Sequence, residues 1–456
     1  MPLNGHVSFW HQQVGHPSRR APLDGGMACD VCVVGAGLTG LWAAYYLKQA
    51  EPSLRIAVVE REFAGFGASG RNGGWLSAKL PVAPARIARE HGTDAVRRMQ
   101  RALEDTVDEA LEVTRSEGIH CDAVKSGCLT VAHRPAHLPR LRAAHDHAAH
   151  WGARDTRWLD AAELGERLRL DGALAAHFDP HCARVQPARL VRGLAATVEA
   201  LGVRIFESTP VTELAAGRAV TPFGTVRARH VLRATEGFTS DLPGERRTWL
   251  PMNSSMIVTA PLPEEVWERI GWSGQELLGD IAHAFTYGQR TADGRIAVGG
   301  RGAPYRFGSH TDRSGRTAWR TVRALRDIVH RFFPDTARVP VEHAWSGVLA
   351  VPRDWCASVH YDPRSGLGSA GGYSGHGVSA TNLAGRTLRD LVLERDSELT
   401  ALPWVGHRTR AWEPEPARWL GVHGMYAAYR AADRAENGRR VTTSPLARFA
   451  DRISGR

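Results

Sequence analysis

The chain is poor in lysine, in cysteine and in long apolar runs, and each shortage excludes a class of protein. Its 456 residues include only three lysines, Lys48, Lys79 and Lys125, so the formal net charge of +10 rests on arginine. Six cysteines are too few for a disulfide scaffold of this length. The longest apolar run, residues 31–47, is interrupted by glycines and shorter than the ~20 residues of a membrane-spanning helix. We therefore predict no membrane partner.

The charge distribution predicts the kind of partner, and the start of the chain predicts the cellular compartment. Arginines such as Arg97 and Arg98 are scattered among acids instead of forming one patch, so we expect no nucleic-acid partner. Residues 1–20 lack the apolar core of a secretory signal, which predicts a cytoplasmic protein. Cys29 and Cys32 have CxxC spacing within a strand-like run, without a second pair at metal-ligand spacing. They are interpreted as structural, and no metal site is predicted.

A strand, a glycine turn, a helix and a second strand follow one another between residues 30 and 60. The sequence GAGLTG at residues 35–40, here called the first glycine turn, stands at the junction of strand and helix. Its glycines allow a tight turn and bring backbone N–H groups close to a pyrophosphate. Glu60, at the end of the second strand, can accept hydrogen bonds from ribose hydroxyls and repels a 2′-phosphate. This order predicts a dinucleotide site that disfavours NADP.

A second glycine-rich segment, GFGASGRNGGW at residues 65–75, follows directly and is called the second glycine loop below. Backbone without side chains can lie flat against a large planar group and direct N–H groups at it. A nicotinamide enzyme does not need a second glycine loop after the acidic residue that binds the ribose. A flavin enzyme does, because the flavin ring must be held by backbone. The loop therefore favours a flavin over NAD.

Taken together, these motifs resemble the D-amino-acid-oxidase-like superfamily of FAD-dependent oxidoreductases, and most of all its gamma-glutamylputrescine-oxidase-like branch. The resemblance implies an α/β fold, α+β overall, of the glutathione-reductase type. A Rossmann-like FAD-binding domain would be interleaved with an antiparallel-sheet substrate domain. Further segments that carry the resemblance are PVTEL at 210–214, VLRATEGFTSDL at 231–242, TADGRIAVGGR at 291–301, GGYSGHGVSATNLAGRTLRDLV at 371–392 and EPEPARWLG at 413–421.

Because the cofactor segments recur along the chain, no single cut separates the two expected domains. The FAD-binding domain is predicted at 27–85 with 175–240 and 335–398. The substrate domain is predicted at 86–174 with 241–334. Residues 1–26 are expected to be an irregular lead-in, and residues 399–456 a C-terminal tail packed on the body.

The resemblance also implies how FAD is held. The backbone of Val211 would face the adenine, Ala234 and Thr235 would approach the pyrophosphate, and the GHG segment around His376 would lie beside the flavin ring. In the sarcosine oxidases a cysteine links FAD covalently to the protein. The matching region here reads HAWSGV and contains no cysteine, so non-covalent FAD is expected. The predicted cofactor-binding residues are Gly35, Ala36, Gly37, Leu38, Thr39, Gly40, Glu60, Arg61, Gly67, Ala68, Ser69, Arg71, Asn72, Gly73, Gly74, Trp75, Val211, Ala234, Thr235, Gly347, Gly372, Tyr373, Ser374, Gly375, His376, Gly377 and Val378.

The resemblance implies oxidation of a C–N bond in a small amine or amino acid, with hydride transfer to flavin N5 and O2 as acceptor. Lys79 is the one lysine placed to approach the ring; alternatively it faces solvent, which favours a dehydrogenase with another acceptor. His376 either acts at the flavin or is an ordinary loop histidine. The predicted catalytic residues are Lys79, His376, Tyr287, Trp345 and Arg301, of which Arg301 could bind a substrate carboxylate. Further candidates for the pocket wall are Met252, His283, Phe285 and Tyr373, each of which could instead be framework.

Two other classes of function stay open at this point. An NAD-linked dehydrogenase is opposed by the second glycine loop and by the GYSGHG segment. A non-catalytic flavin-binding or assembly protein could use the same fold.

Overall fold

Two large β-sheets with helices packed against them organise the chain in the computed structural model, which describes residues 2–15, 18–300, 304–436, 442–447 and 450. The strands are β1 (Leu3–Asn4), β2 (Met27–Val34), β3 (Ile56–Val59), β4 (Trp75–Ser77), β5 (Cys128–Ala132), β6 (Arg157–Asp160), β7 (Ala175–Asp179), β8 (Cys182–Arg184), β9 (Arg204–Phe206), β10 (Glu213–Ala215), β11 (Arg218–Thr221), β12 (Gly224–Arg233), β13 (Leu250–Thr259), β14 (Leu277–Asp280), β15 (Thr286–Arg290), β16 (Ile296–Gly300), β17 (Val341–Val351), β18 (Ser358–Asp362) and β19 (Leu367–Gly371). The helices are α1 (Phe9–Gln13), α2 (Leu38–Ala50), α3 (Pro84–His91), α4 (Thr93–Ser116), α5 (His137–His150), α6 (Ala161–Arg167), α7 (Pro187–Ala200), α8 (Glu264–Ile270), α9 (Trp319–Phe332), α10 (Gly377–Val392) and α11 (Ala417–Glu436). No helix within these residues has both the length and the apolar character needed to cross a membrane.

The first sheet contains the predicted dinucleotide unit. Its strands run in the order β10-β11-β12-β2-β3-β9, and β19, with β18 at its side, also pairs with β12. Strands β12, β2, β3 and β9 are parallel neighbours, which is the arrangement that the β2-α2-β3 crossover requires. Helix α10 packs closely on α2, because a Cβ atom on Gly385 would lie 2.7 Å from Cβ of Trp42. The predicted Rossmann-like fold is confirmed.

The second sheet has nine strands in the order β1-β17-β13-β16-β15-β14-β5-β7-β6. Its pairs are antiparallel except β1 with β17 and β14 with β5. The predicted turn at 291–295 joins β15 to β16, and the Thr291 N–H donates to the Arg295 carbonyl at 2.9 Å. One face of this sheet is covered by α8 and α9, whose apolar residues share a core with Ile257 and Leu278.

Two segments pack with the domain opposite to the one in which the sequence places them. Strand β17, predicted within the FAD-binding piece 335–398, pairs along its length with β13 in the nine-stranded sheet. Helix α4, predicted in the substrate domain, buries Val96, Met99 and Leu103 in the same apolar core as Trp42 of α2. Both differences depend on long-range packing, which the amphipathic pattern of a single segment does not specify.

The described residues within the predicted lead-in and the predicted tail include more regular structure than the sequence indicates. Within the predicted irregular lead-in, β1 pairs with β17, and α1 is capped by Ser8, whose side chain accepts the His11 N–H. In the predicted tail, α11 is a 20-residue helix. Val422 and Tyr426 of this helix pack with Leu250 in one apolar cluster.

An ion pair fastens the segment before α11 to the loop that follows β17. The His407 Nε2 atom lies 2.8 Å from Oδ2 of Asp354, and both side chains are largely buried. Its hydrogen bonds to Asp354 and to Cys356 raise the pKa of His407 to about 9.

We expect His407→Gln to destabilise the protein in a pH-dependent way. A raised folded-state pKa stabilises fully below the unfolded value near 6.5 and no longer does so above the folded value near 9. The variant should therefore lose roughly 2 kcal/mol at pH 6 and almost nothing at about pH 10. Denaturant unfolding across this range measures the difference, with the exposed His120→Gln as control. An equal loss at both ends would contradict the ion pair.

Candidate functional site

A deep cleft lies between the two sheets and collects most of the predicted cofactor residues. It contains about 2060 Å³ of space, which includes open solvent at its mouth. Its lining includes these predicted residues: Gly35, Gly37, Leu38, Thr39, Glu60, Arg61, Gly67, Ala68, Ser69, Arg71, Asn72, Gly73, Trp75, Val211, Ala234, Thr235, Gly347, Tyr373, Ser374, Gly375, His376, Gly377 and Val378.

The first glycine turn is shaped by close backbone approach. Gly35 has φ +108°, and a Cβ there would lie 2.6 Å from the Ala234 carbonyl oxygen. A Cβ on Gly37 would lie 2.9 Å from Ser69 Oγ, the atom that accepts the Leu38 N–H at 2.9 Å. The N-terminus of α2 thus opens into the cleft at a glycine-lined turn, with Ser69 beside it. Such a helix end binds phosphate oxygens through its first N–H groups.

Glu60 is hydrogen-bonded to the first glycine turn at the cleft wall. Its carboxylate accepts the Ala36 N–H at 2.8 Å and the Glu62 N–H at 2.9 Å. Burial raises the pKa of Glu60 to about 7, although these two N–H donors act in the opposite direction. The carboxylate lines the cleft beside Val211. This position, at the end of β3, fits a ribose hydroxyl pair.

The second glycine loop presents backbone to the cleft because neighbouring side chains occupy the space behind it. A Cβ on Gly73 would lie 2.7 Å from the Tyr287 ring, and one on Gly74 would lie 2.1 Å from Nε2 of Gln289. Arg71 is buried and donates from Nε to the Phe66 carbonyl at 2.7 Å. Burial lowers the pKa of Arg71 to about 10. The loop leaves a flat face that fits the flavin ring of FAD.

The opposite wall comes from the segment between β19 and α10. Glu236 is half-buried and accepts the Gly372 N–H at 2.9 Å and the Ala350 N–H at 3.2 Å. The Tyr373 hydroxyl lies 3.2 Å from Thr39 Oγ1 and so joins this wall to α2. Helix α10 begins at Gly377 with His376 at its N-cap, and both residues line the cleft. Its N-terminus therefore faces the cleft.

The nine-stranded sheet contributes the aromatic end of the cleft. Phe285 and Tyr287 line it together with Trp75, whose ring meets that of Tyr287 edge to face at 6.4 Å. The Tyr287 hydroxyl shares a hydrogen bond of 2.8 Å with Ser254 Oγ. Lys79 is half-buried in the same wall, and its Nζ lies 5.1 Å from the centre of the Trp75 ring.

Three residues predicted at the substrate pocket do not line the cleft. Trp345 is fully buried behind the second glycine loop, where its indole N–H donates to the Arg71 carbonyl. His283 faces α11 and pairs with Glu436 at 2.9 Å. Met252 belongs to the apolar cluster under α11. Strand alternation alone did not tell which face of each strand the sheet would bury.

The remaining predicted residues differ in their relation to the cleft. Arg301 lies outside the described residues. Ala36, Gly40, Gly74 and Gly372 do not line the cleft but support its walls; a Cβ on Gly40, for example, would lie 2.1 Å from the Gly35 carbonyl oxygen. Cleft residues that the sequence analysis missed include Phe66, Ser77, Thr130, Glu236, Ser254 and Asp280. Of these, Phe66 lies within the second glycine loop and Glu236 within the recognised segment 231–242.

The fold and the cleft define a dinucleotide-binding flavoprotein, with a turn that fits a pyrophosphate, a carboxylate that fits a ribose and a glycine-rich wall that fits the ring. The chain belongs to the family described as DAO, FAD dependent oxidoreductase, whose family model matches residues 30–391. Its cofactor is FAD, and the predicted resemblance is confirmed.

Similar proteins span most of the chain. Gamma-glutamylputrescine oxidoreductase of Escherichia coli strain K12 is 28% identical over 430 residues, covering 89% of this chain and 95% of the relative. Probable oxidoreductase OrdL of Haemophilus influenzae is 28% identical over 382 residues, covering 81% and 84%. The crystal structure of L-proline dehydrogenase from P. horikoshii has a TM-score of 0.69 at 17% identity, covering 83% of this chain and 96% of that one. This last likeness concerns the fold.

We expect Gly37→Val to prevent FAD retention, because its Cβ would lie 2.9 Å from Ser69 Oγ and its methyl groups would enter the turn. FAD affinity should fall by more than about tenfold, while the variant keeps its secondary structure. The absorbance ratio of flavin to protein after purification, and titration of the stripped protein with FAD, measure this. Gly421→Val is the control, since a Cβ at that position meets nothing within 4 Å. A Gly37→Val protein with stoichiometric FAD would contradict the assignment.

Proposed function

We propose that this FAD-dependent oxidoreductase oxidises a C–N bond of a small amine or amino acid. The observation that carries the proposal is the aromatic end of the cleft, where Tyr287 packs directly on Gly73 of the second glycine loop. A relative of similar length is named gamma-glutamylputrescine oxidoreductase, which supports a substrate with an amine nitrogen. Bound FAD would supply a hydride acceptor at flavin N5 for the carbon that carries nitrogen. The imine so formed would take up water and split into an aldehyde or keto product and ammonia or an amine.

The chain positions the substrate and limits water at the reacting carbon. The rings of Trp75, Phe285 and Tyr287 form an apolar wall at this end of the cleft. Burial between such rings favours the neutral form of an amine, which is the form that can lose hydride. The Tyr287 hydroxyl, held by Ser254, offers one fixed polar contact in this wall.

We further propose O2 as the electron acceptor, so that each turnover consumes O2 and water and gives H2O2. Lys79 supports this proposal because its half-buried ammonium stands in the cleft wall over Trp75. A fixed cation near the ring stabilises negative charge that develops on oxygen. A dehydrogenase with another acceptor is the alternative if Lys79 has no such role.

Non-covalent binding of FAD belongs to the same proposal. All six cysteines are free and buried, and none of them lines the cleft. Cysteine linkage would therefore need a rearrangement of the core.

The reaction is tested by mixing the purified yellow protein anaerobically with polyamines, N-methyl amino acids, and D- and L-amino acids while flavin absorbance is followed. We expect at least one amine to bleach the flavin absorbance within a turnover, and stoichiometric H2O2 to form when air is admitted. Bleaching without rapid reoxidation in air would identify a dehydrogenase. A flavin inert to every amine in the panel would contradict the proposal and favour a non-catalytic flavoprotein.

We expect Lys79→Met to slow reoxidation of the reduced protein by O2 by about tenfold or more, with reduction by substrate changed less than about twofold. The reason is that the ammonium assists only the step in which oxygen gains charge. Stopped-flow absorbance separates the two half-reactions. Lys125→Met, at an exposed lysine paired with Asp108, is the matched control. Oxygen reactivity equal to that of the wild type would remove Lys79 from the mechanism.

A further inference from the structure

Four successive carbonyl groups of the second glycine loop, those of residues 70–73, each accept a hydrogen bond from a side chain outside the loop. The donors come from three distant parts of the chain: the segment that caps and forms α1, strand β15 and strand β17. The bonds are Ser8 Oγ to the Gly70 oxygen at 2.7 Å, Trp345 Nε1 to the Arg71 oxygen at 2.9 Å, Trp10 Nε1 to the Asn72 oxygen at 2.8 Å and Gln289 Nε2 to the Gly73 oxygen at 2.7 Å.

Fixing a carbonyl also fixes the N–H group of the same peptide plane, which points the opposite way in a trans peptide. The carbonyls of Arg71 and Asn72 share their planes with the N–H groups of Asn72 and Gly73. Neither of these two N–H groups has a hydrogen-bond acceptor among the described residues, whereas the Gly74 N–H donates to Asn72 Oδ1 at 2.7 Å. Asn72 and Gly73 line the cleft, and the two indoles do not. The two N–H groups therefore face the cofactor side.

The two indoles are locked in place. Trp10 and Trp345 are 1% and 0% exposed, and their rings meet edge to face at 5.7 Å. Phe9 packs on both rings, at 5.3 Å from Trp10 and 6.2 Å from Trp345. Backbone N–H groups that line a cleft and have no protein acceptor are free to bind a ligand, so the pair of N–H groups is a site that a ligand acceptor would fill.

We propose that Trp10 and Trp345 are positioning residues that direct the N–H groups of Asn72 and Gly73 toward bound FAD. The inference rests on FAD as the cofactor and is independent of the proposed substrate. It gives a role to the N-terminal segment, which lies outside the matched residues 30–391 of the family.

Trp10→Phe and Trp345→Phe test this, because each keeps an aromatic ring and removes the N–H donor; the loss of ring volume is shared by a control at another buried tryptophan. The matched control is Trp272→Phe, since Trp272 is also 0% exposed and donates to the backbone, at the Glu276 carbonyl, far from the cleft. Each protein is stripped of FAD and titrated back, and its apo melting temperature, FAD dissociation constant, visible flavin spectrum and flavin midpoint potential are measured. We expect all three variants to lose similar apo stability.

In Trp10→Phe and Trp345→Phe we further expect FAD to bind roughly fivefold to tenfold more weakly, with a shifted flavin spectrum and potential. Trp272→Phe should bind FAD within about twofold of the wild type. Unchanged FAD affinity and spectrum in both variants, or an equal loss in the control, would overturn the inference. If one variant does not fold, the other gives the same comparison. A wild-type protein that binds no FAD would instead contradict the cofactor assignment itself.

Discussion

The second glycine loop is held partly by its own Arg71 and Asn72 side chains, but the carbonyl groups of residues 70–73 depend on hydrogen-bond donors from elsewhere in the molecule. Those donors are supplied by the start of the chain and by two strands of the nine-stranded sheet. The flat face of the loop is therefore a product of the assembled protein. Hydrogen bonds of this kind strengthen one another when all are made, which couples the cofactor wall to the docking of α1.

The same constraint explains why the two sheets cannot be separated along the chain. Strand β17 pairs with β13 over its whole length, yet Gly347 and Leu349 of this strand line the cleft. Tyr287 and Gln289, two residues apart on β15, both contact Gly73 of the loop. The wall proposed to receive a substrate and the wall proposed to receive the flavin are thus held together by direct contacts, as the proposed hydride transfer over a short distance would require.

The sequence allowed the prediction of those parts of the site that depend on neighbouring residues. The turn at Gly35 and the acid at Glu60 belong to one strand-helix-strand unit, so their spacing carries the information. Trp345 and His283 could not be placed in this way, because their direction depends on which face of the nine-stranded sheet meets the core and on where α11 docks. Trp10 was missed for the same reason, since its acceptor lies more than sixty residues away.

The central claim is that the second glycine loop offers backbone N–H groups to FAD through the anchoring of its carbonyls. Hydrogen–deuterium exchange of peptides that cover residues 70–75, with and without FAD, tests it most directly. The account predicts that FAD slows exchange at Asn72 and Gly73, and that the Gly74 amide, already bonded within the loop, changes little. Equal exchange rates at Asn72 and Gly73 in the presence and absence of bound FAD would contradict it.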